Sequence, residues 1–437
     1  MNSTTSLSAT AVQQELEKAW DRYRQANPLS AEHHARAREV MPGGNTRTVL
    51  FSDPFPIILA SGEGCYVTSL DGTTYVDYLG EYTAGLYGHS DPILRQAVVD
   101  AMDSGWVRGG HILQEEKFAR LICERFPSIE QVRFTNSGTE ANLYAMCTAR
   151  ELTKKNKIMV FEGGYHGGVF MFGGKGGTLT VPFDFVKAPY NDWPATKAML
   201  DQHREDLACV LIEPMQGSGG CIPAAREFLQ ALRDWTSSHG VLLVFDEVMT
   251  SRMSAGGLQA LHGIIPDMTT LGKYIGGGFG FGAFGGREDL MRVFDPSRPE
   301  FLPHAGTFNN NVFTMMVGAT GLEQVYTAER AKQLTESGEK LRSRLNRVVT
   351  DAGFPMQFTG VGSLMNVHAC TGTIRSIRDL VNSNQPLRDL FYFDMLEQGI
   401  WPARRGMLNL SLPMGEAEFQ RLESAVVNFV ESRKELV

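Results

Sequence analysis

Two stretches of strand length are apolar throughout and each ends in a carboxylate: Cys209-Val210-Leu211-Ile212-Glu213-Pro214 and Val241-Leu242-Leu243-Val244-Phe245-Asp246-Glu247. A strand without polar alternation has to be covered on both faces, the condition of a parallel sheet inside an α/β fold. Open α/β sheets take their ligands beyond the carboxyl ends of the strands, so Glu213 and Asp246 are expected to point at a site. An acid that merely closes a strand explains Glu213 as well as a ligand role does. It explains Asp246 less well, because a carboxylate there has a definite task available, holding a proton on a pyridine nitrogen.

Other junctions of strand and loop carry the remaining chemistry. Gln131–Thr135 reads as a strand, and Asn136-Ser137-Gly138-Thr139-Glu140-Ala141-Asn142 then turns into a helix running to about Leu152. Free amides at a helix start, a flexible glycine and two hydroxyls suit an anion such as phosphate. An ordinary N-cap accounts for the same residues. After the strand Lys157–Phe161, Tyr165 and His166 are set among glycines, where a ring can stack on a flat ligand or simply pack its loop. Downstream of Asp246, Thr269-Thr270-Leu271-Gly272-Lys273-Tyr274-Ile275-Gly276-Gly277-Gly278 places one lysine in a glycine-rich turn. A lysine amine condenses with aldehydes, pyridoxal phosphate among them, although a lysine beside glycine is more often a solvated loop residue.

The whole chain narrows the choice. Its 437 residues allow two domains, and its 43% apolar, 21% charged composition is ordinary for a globular protein. A net charge of -8 offers no basic stripe for nucleic acid or anionic lipid, so small molecules are the expected partners. Six scattered cysteines contain no C-x-x-C pair, which suggests reduced core residues and no metal site. No apolar run approaches the ~18 residues of a membrane helix, and the Ser/Thr-rich start from Met1 to Thr10 reads as a frayed tail rather than a signal, so the expected compartment is the cytosol. Gly173-Gly174-Lys175-Gly176-Gly177-Thr178 fails the P-loop pattern, since Val169 and Gly176 stand where Gly and Ser or Thr are required. The alternating Gly278, Gly280 and Gly282 do not make G-x-G-x-x-G either.

Between these landmarks, Val12–Ala26 has helical spacing, Met41–Arg47 is a loop, and Thr48–Phe51 looks like a strand. Cys65–Val67 and Thr74–Tyr78 flank Asp71-Gly72 as a hairpin. Glu81–His89, with Glu81 and Tyr82, has the mixed character of a loop lining a pocket. Helices are expected from Pro92 to Met102, Leu113 to Arg125, Val312 to Tyr326, Leu334 to Val349 and Ala417 to Val430, with strands near 360–367 and 407–412. Arg47 and the pair Arg404-Arg405 are candidates for binding a carboxylate.

Taken together, SGTEAN (137–142), GGYHG (163–167), FDEV (245–248), GKYIGGG (272–278) and GTFNNN (306–311) resemble the class III aminotransferases of the type I pyridoxal phosphate fold over nearly the whole chain. Within that class, EYTAGLYGHS (81–90), DEVMTSR (246–252) and MQFTGVGSLMN (356–366) are most similar to aromatic β-amino acid, or β-phenylalanine, aminotransferases, with glutamate-1-semialdehyde aminomutases as relatives. The resemblance implies an α/β fold with a mostly parallel sheet in a large domain (81–319) and a smaller α+β domain built from 1–80 and 320–437. It implies a homodimer with shared sites, an amino donor and a keto acid such as 2-oxoglutarate or pyruvate. Lys273 is then the residue that condenses with the cofactor, and Asp246 the partner of the ring nitrogen. Ser137, Gly138 and Thr139 hold the phosphate, with Thr307 from a neighbouring subunit, while Tyr165, His166, Glu213 and Val248 surround the ring. Arg47, Glu81, Tyr82 and Arg405 form the substrate side. Because Arg404 adjoins Arg405, the sequence leaves open which guanidinium faces the pocket. An (S)-selective amine transaminase, an aminomutase and a pyridoxal phosphate-binding regulator are the alternatives; the regulator lacks room for a basic DNA-binding module.

Overall fold

Seven strands form the central sheet, in the spatial order Gln131–Thr135, Gly282–Gly286, Met268–Gly272, Leu242–Asp246, Leu207–Ile212, Lys157–Phe161 and Asp184–Ala188. The computed structural model in which they are seen describes residues 9–173 and 176–436. Gly282–Gly286 runs antiparallel to both its neighbours, and the other pairings are parallel.

The continuous apolar runs are explained by the two layers that cover this sheet. Every residue of Leu207–Ile212 is buried. On one face Cys209, Leu211 and Val244 pack with Ala141, Ala145 and Ala149 of the helix Gly138–Thr153. On the other, Val210, Ile212, Leu243 and Phe245 meet Phe228, Leu229 and Leu232 of the helix Arg226–His239. Successive residues point to opposite faces, so neither face tolerates a polar position. Each Leu, Ile or Phe so buried contributes roughly 1.5–3 kcal/mol.

The two ends of the chain are interleaved. Leu59–Glu63, Tyr66–Ser69 and Thr74–Asp77 form an antiparallel meander, and Ile400–Trp401 joins it in parallel against Val76 and Asp77. The helix Ala9–Ala26 lies on Gln385–Glu397, where Tyr23 stacks edge-on to Phe393 and donates to the Phe55 carbonyl. Arg433 ties the last helix to both Asp394 and Glu15. A third sheet holds Gln357–Val361, Leu364–His368 and Met407–Asn409. Arg252, almost fully buried, joins this part to the large sheet by donating to the Ser363 hydroxyl and to the carbonyls of Leu410 and Thr83.

Local expectations fail where an apolar run lacks a partner. Thr48–Leu50 is an exposed single turn of 3-10 helix, not a strand, because among the described residues no strand lies beside it to complete its hydrogen bonds. The strand expected over 360–367 is a hairpin that reverses at Gly362-Ser363, where Gly362 has a φ of 53°. The helix from Val312 ends at Thr320 and continues as a π turn over Gly321–Val325. Cys65, Cys209 and Cys221 are core residues, whereas Cys147 is exposed. The expected frayed tail is Met1–Thr10: Met1–Ser8 lie outside the described residues, and a helix begins at Ala9. Gly174 and Lys175 of the rejected phosphate-loop candidate lie outside them too.

One close approach locks the sheet to the loop after its first strand. A Cβ added to Gly282 would lie 2.0 Å from the Ser137 carbonyl oxygen, whereas one on Gly280 would meet nothing nearer than the Asn136 carbonyl at 3.5 Å. Gly282→Ala is therefore expected to destabilise by about 1–3 kcal/mol or more, as overpacking against backbone does. Gly280→Ala should cost less than about 0.5 kcal/mol. Thermal melts of the two variants check this, and equal midpoints would show that the strand shifts freely.

Candidate active site

A cavity of about 600 Å³ opens at the carboxyl ends of the parallel strands and is lined by Arg47, Glu81, Ser137, Gly138, Thr139, Tyr165, His166, Glu213, Asp246, Val248 and Lys273, with Asn142 and Met249 beside them. A larger hollow of about 990 Å³ lies against Glu116, Arg133 and Asp295 and contains none of the residues singled out in the sequence. Most of the expected constellation thus converges in one place. Its members follow separate strands, which is how a sheet gathers side chains far apart in sequence.

Asp246 closes its strand and is 4% exposed. Its Oδ2 accepts from His166 Nδ1 and Asn142 Nδ2, both at 2.8 Å, and its Oδ1 from the Val248 amide at 3.0 Å. A carboxylate accepts about four hydrogen bonds, so Asp246 keeps capacity for one partner from the cavity it lines. Asn142 is in turn oriented by the Thr270 hydroxyl, which donates to its Oδ1 at 2.7 Å. Sequence reading gave no role to Asn142 or Thr270; the only sign of them was the Asn that ends the SGTEAN motif and a Thr in the strand paired with that of Asp246. His166, 2% exposed, lines the cavity beside Asp246 and donates to it.

Lys273 follows its strand directly, with a φ of 56°. Its Nζ donates to the Tyr82 carbonyl at 2.6 Å. Burial pulls the amine down to about 7, the Arg405 guanidinium adds to the fall, and Asp246 and Glu213 oppose it. Burial likewise raises Glu213 above the ordinary carboxylate range, against donation from the Tyr165 and Gly217 amides. Glu213 thereby fixes the loop that presents Tyr165, whose ring remains 40% exposed.

Ser137 caps the helix Gly138–Thr153, its Oγ accepting from the Glu140 amide at 3.1 Å, and the amides of the first turn face the cavity end. The Thr139 hydroxyl accepts from the Gly168 amide at 3.3 Å. A Cβ on Gly138 would lie 2.9 Å from Val248, so glycine here lets Val248 close on the helix start. Thr307 is exposed and outside this lining, on a loop held to Asn136 through Asn309.

Two guanidiniums meet at Tyr82. Arg47 lies over its ring at 5.7 Å and Arg405 at 4.8 Å. Arg47 is ion-paired with Glu81. Arg405 donates to Ser218 Oγ at 3.1 Å, and its buried Nε has no hydrogen-bond partner among the described residues. Arg404 turns the other way, donating to the Asp53 carbonyl and lying over Phe393. Arg405 is thus the one over the Tyr82 ring and near Lys273, whereas Arg404 lines the hollow that Tyr82 also borders, and the lining of neither cavity includes Arg405. Tyr82 also borders a second hollow of about 260 Å³ with Ile57, Leu79, Tyr392 and Trp401, which shares Glu81 with the main cavity. Ser218, Tyr392 and Trp401 carried no local signal.

A half-buried amine at a glycine turn, a carboxylate sharing its cavity and a capped helix start at the ends of a mostly parallel sheet are the features of a type I pyridoxal phosphate-dependent transferase. The family model for class III aminotransferases matches residues 51–407, and the chain belongs to that family. It is 51% identical over 420 residues to the β-phenylalanine transaminase of Variovorax paradoxus, covering 96% of each chain. It is 35% identical over 353 residues to a glutamate-1-semialdehyde 2,1-aminomutase of Methanosarcina acetivorans, covering 77% of this chain and 83% of the other. A crystal structure of a β-phenylalanine aminotransferase from Variovorax paradoxus superposes with a TM-score of 0.96 at 50% identity, over 97% of this chain and 99% of that one. The protein is accordingly a pyridoxal phosphate-dependent aminotransferase.

The donor set fits that cofactor. It offers an amine poised to be neutral, a carboxylate with a free lone pair, helix-start amides and hydroxyls, and an exposed aromatic ring.

Because the Lys273 amine is lowered rather than raised, its nucleophilic form grows in as pH rises through about 7. Condensation of the cofactor-free chain with pyridoxal phosphate should climb through that range and level off, instead of continuing to rise toward 10.5. Stopped borohydride trapping followed by peptide mapping measures it. A midpoint near 10, or label on another lysine, refutes the assignment.

Proposed function

We propose that this enzyme moves the amino group of an aromatic β-amino acid to a keto acid, 2-oxoglutarate or pyruvate, by a ping-pong sequence in a homodimer with shared sites. The observation that carries the reading is the pair of guanidiniums on one tyrosine ring beside Lys273. The name of the Variovorax paradoxus relative, a β-phenylalanine transaminase, supports the donor class.

Bound pyridoxal phosphate supplies an aldehyde for the donor amine and an electron-withdrawing ring once its nitrogen is protonated. In this reading Ser137, Gly138 and Thr139 hold the phosphate, and Tyr165 and Val248 flank the ring. Asp246 holds the proton at the ring nitrogen, stiffened by His166 and Asn142. Lys273 Nζ, when free, would carry the proton from the donor carbon, a task suited to an amine lowered to about 7. Arg47 receives the donor carboxylate, for which Glu81 stands in when the site is free. The aryl group lies in the apolar hollow beside Tyr82. Arg405, with no acid bound to it among the described residues, receives the carboxylate of the keto acid. Thr307 reaches the phosphate from the neighbouring subunit. Its exposure, together with that of Trp106, Val107, Leu113 and Phe308, supports a covered face.

Asp246→Asn should retain cofactor yet react about 10² or more slower in the donor half-reaction, a loss of roughly 2.7 kcal/mol or more. Single-turnover absorbance of the cofactor reports it, and a near-normal rate would mean that ring protonation is set elsewhere.

Arg47→Ala should lose roughly 2–5 kcal/mol of kcat/KM for an aromatic β-amino acid. The lower end is expected, since Glu81 already offsets the cation. Simple amines lacking a carboxylate should lose far less. A donor panel with each keto acid decides the matter: equal losses for both donor types would place Arg47 in the fold alone, and product formed without keto acid would favour an aminomutase.

A further inference from the structure

Among the described residues, seven other than glycine have a positive φ, and three of them are consecutive: Glu81 at 47°, Tyr82 at 50° and Thr83 at 83°. Two more, Lys273 and Cys221, belong to the same neighbourhood, Cys221 closing the loop that carries Ser218. Left-handed backbone is costly for any side chain with a Cβ, and for a branched one such as threonine it is a real outlier. Glycine is the residue that adopts it freely. Such strain persists only where the surroundings over-determine it, and it gathers at functional sites.

The surroundings here do so. The Tyr82 amide donates to the Leu79 carbonyl at 3.0 Å and the Gly85 amide to the Gly80 carbonyl at 2.9 Å. The Tyr82 hydroxyl donates to the Val49 carbonyl at 3.0 Å. Arg252 reaches the Thr83 carbonyl from below at 3.4 Å. Thr83 itself is 1% exposed, and its hydroxyl has no hydrogen-bond partner among the described residues. A branched residue in a left-handed position with an orphaned buried hydroxyl is a poor choice for stability on two counts. What it does supply is stiffness, because branching at Cβ leaves few side-chain and backbone wells.

The group that this turn presents is the Tyr82 carbonyl, which takes a hydrogen from Lys273 Nζ at 2.6 Å. We propose that the left-handed run Glu81–Thr83 is a positioning device for the transamination chemistry, holding the Tyr82 carbonyl as a fixed acceptor for the free Lys273 amine, with Thr83 as the positioning residue that locks it. A neutral backbone acceptor has an advantage over Asp246 or Glu213, the acids that share the cavity. It orients the amine by one N–H while leaving the lone pair unpaired, whereas a carboxylate would draw the amine into an ion pair as ammonium. The inference rests on the family's aminotransferase activity and is independent of which donor the enzyme prefers.

The test uses Thr83→Gly and Thr83→Val in the full-length enzyme held in its pyridoxamine phosphate form, in which the Lys273 amine is free. Three quantities are read: the pH midpoint for modification of Lys273 by a small amine reagent, mapped by mass spectrometry; the melting temperature; and kcat against KM. A carbonyl acceptor favours the ammonium form, so loosening it in Thr83→Gly should lower the modification midpoint. The same variant should melt no lower than the parent and lose about tenfold or more in kcat with KM for the donor changed by less than about twofold, the pattern of a group acting in the proton-transfer step. Thr83→Val, which keeps the branch and removes the orphaned hydroxyl, should retain the parent midpoint. A glycine variant with the parent midpoint, one whose midpoint rises, one that melts lower, or a valine variant that shifts the midpoint as glycine does would each overturn the proposal. The aminotransferase assignment would survive any of them.

Discussion

An amine brought down to about 7 in a cavity it shares with two acids is the constraint from which the rest of this site follows. Lys273 shares a cavity with Asp246 and Glu213, and both acids pull its amine toward the charged form. Left to that attraction, the lysine would be a structural ammonium. The protein prevents this by occupying the acids first. Asp246 is held by His166, Asn142 and the Val248 amide, and Glu213 by the Tyr165 and Gly217 amides. Burial and the Arg405 cation then outweigh what attraction remains, and the amine settles near 7.

That balance explains why the site needs the small sheets as well as the large one. Asp246, Glu213 and Lys273 all follow strands of the central sheet, but the cation that lowers the amine and the carbonyl that receives it do not. Arg405 comes from the turn before Met407–Asn409, and Tyr82 from the turn after Thr74–Asp77. Arg252 spans the two parts with a guanidinium whose acceptors are the Ser363 hydroxyl and two carbonyls. A fully buried cation that uses only neutral acceptors is costly to desolvate. It adds no carboxylate to a neighbourhood already balanced between acids and an amine.

The parts of the site legible in the sequence are those set by strand ends and helix starts. Asp246 and Glu213 close apolar runs, Ser137 caps a helix, and Lys273 opens a glycine turn, so each announces itself within a few residues. Arg405, Tyr82 and Asn142 depend on tertiary placement. Neither Arg404 nor Arg405 is distinguished by its neighbours in sequence; only the fold turns one toward Tyr82 and the other toward Asp53. The left-handed run opens at Gly80 and continues through Glu81–Thr83, three residues of types that rarely adopt such backbone, so the single glycine marks only its start. Thr48–Phe51 misleads for the opposite reason, since a short run of strand-forming residues with no strand beside it among the described residues has no ladder to join.

In the proposed reading, in which Arg47 and Arg405 each receive an acid, the two arginines on Tyr82 differ in what they offer it. Arg47 is half-exposed and already neutralised by Glu81, so an incoming carboxylate there exchanges one anion for another. The net gain is the difference between two similar pairs, which favours fast exchange over tight binding. Arg405 is less exposed and contacts only neutral groups, the Ser218 hydroxyl and the Met407 sulfur, with its Nε left over. An acid arriving there relieves an uncompensated cation and would also withdraw part of the field that keeps Lys273 neutral. Binding at Arg405 therefore raises the proton affinity of the very amine that must next act, whereas binding at Arg47 leaves it nearly unchanged. A single ring with two cations of unequal commitment is thus enough to make the two carboxylate positions electrically distinct.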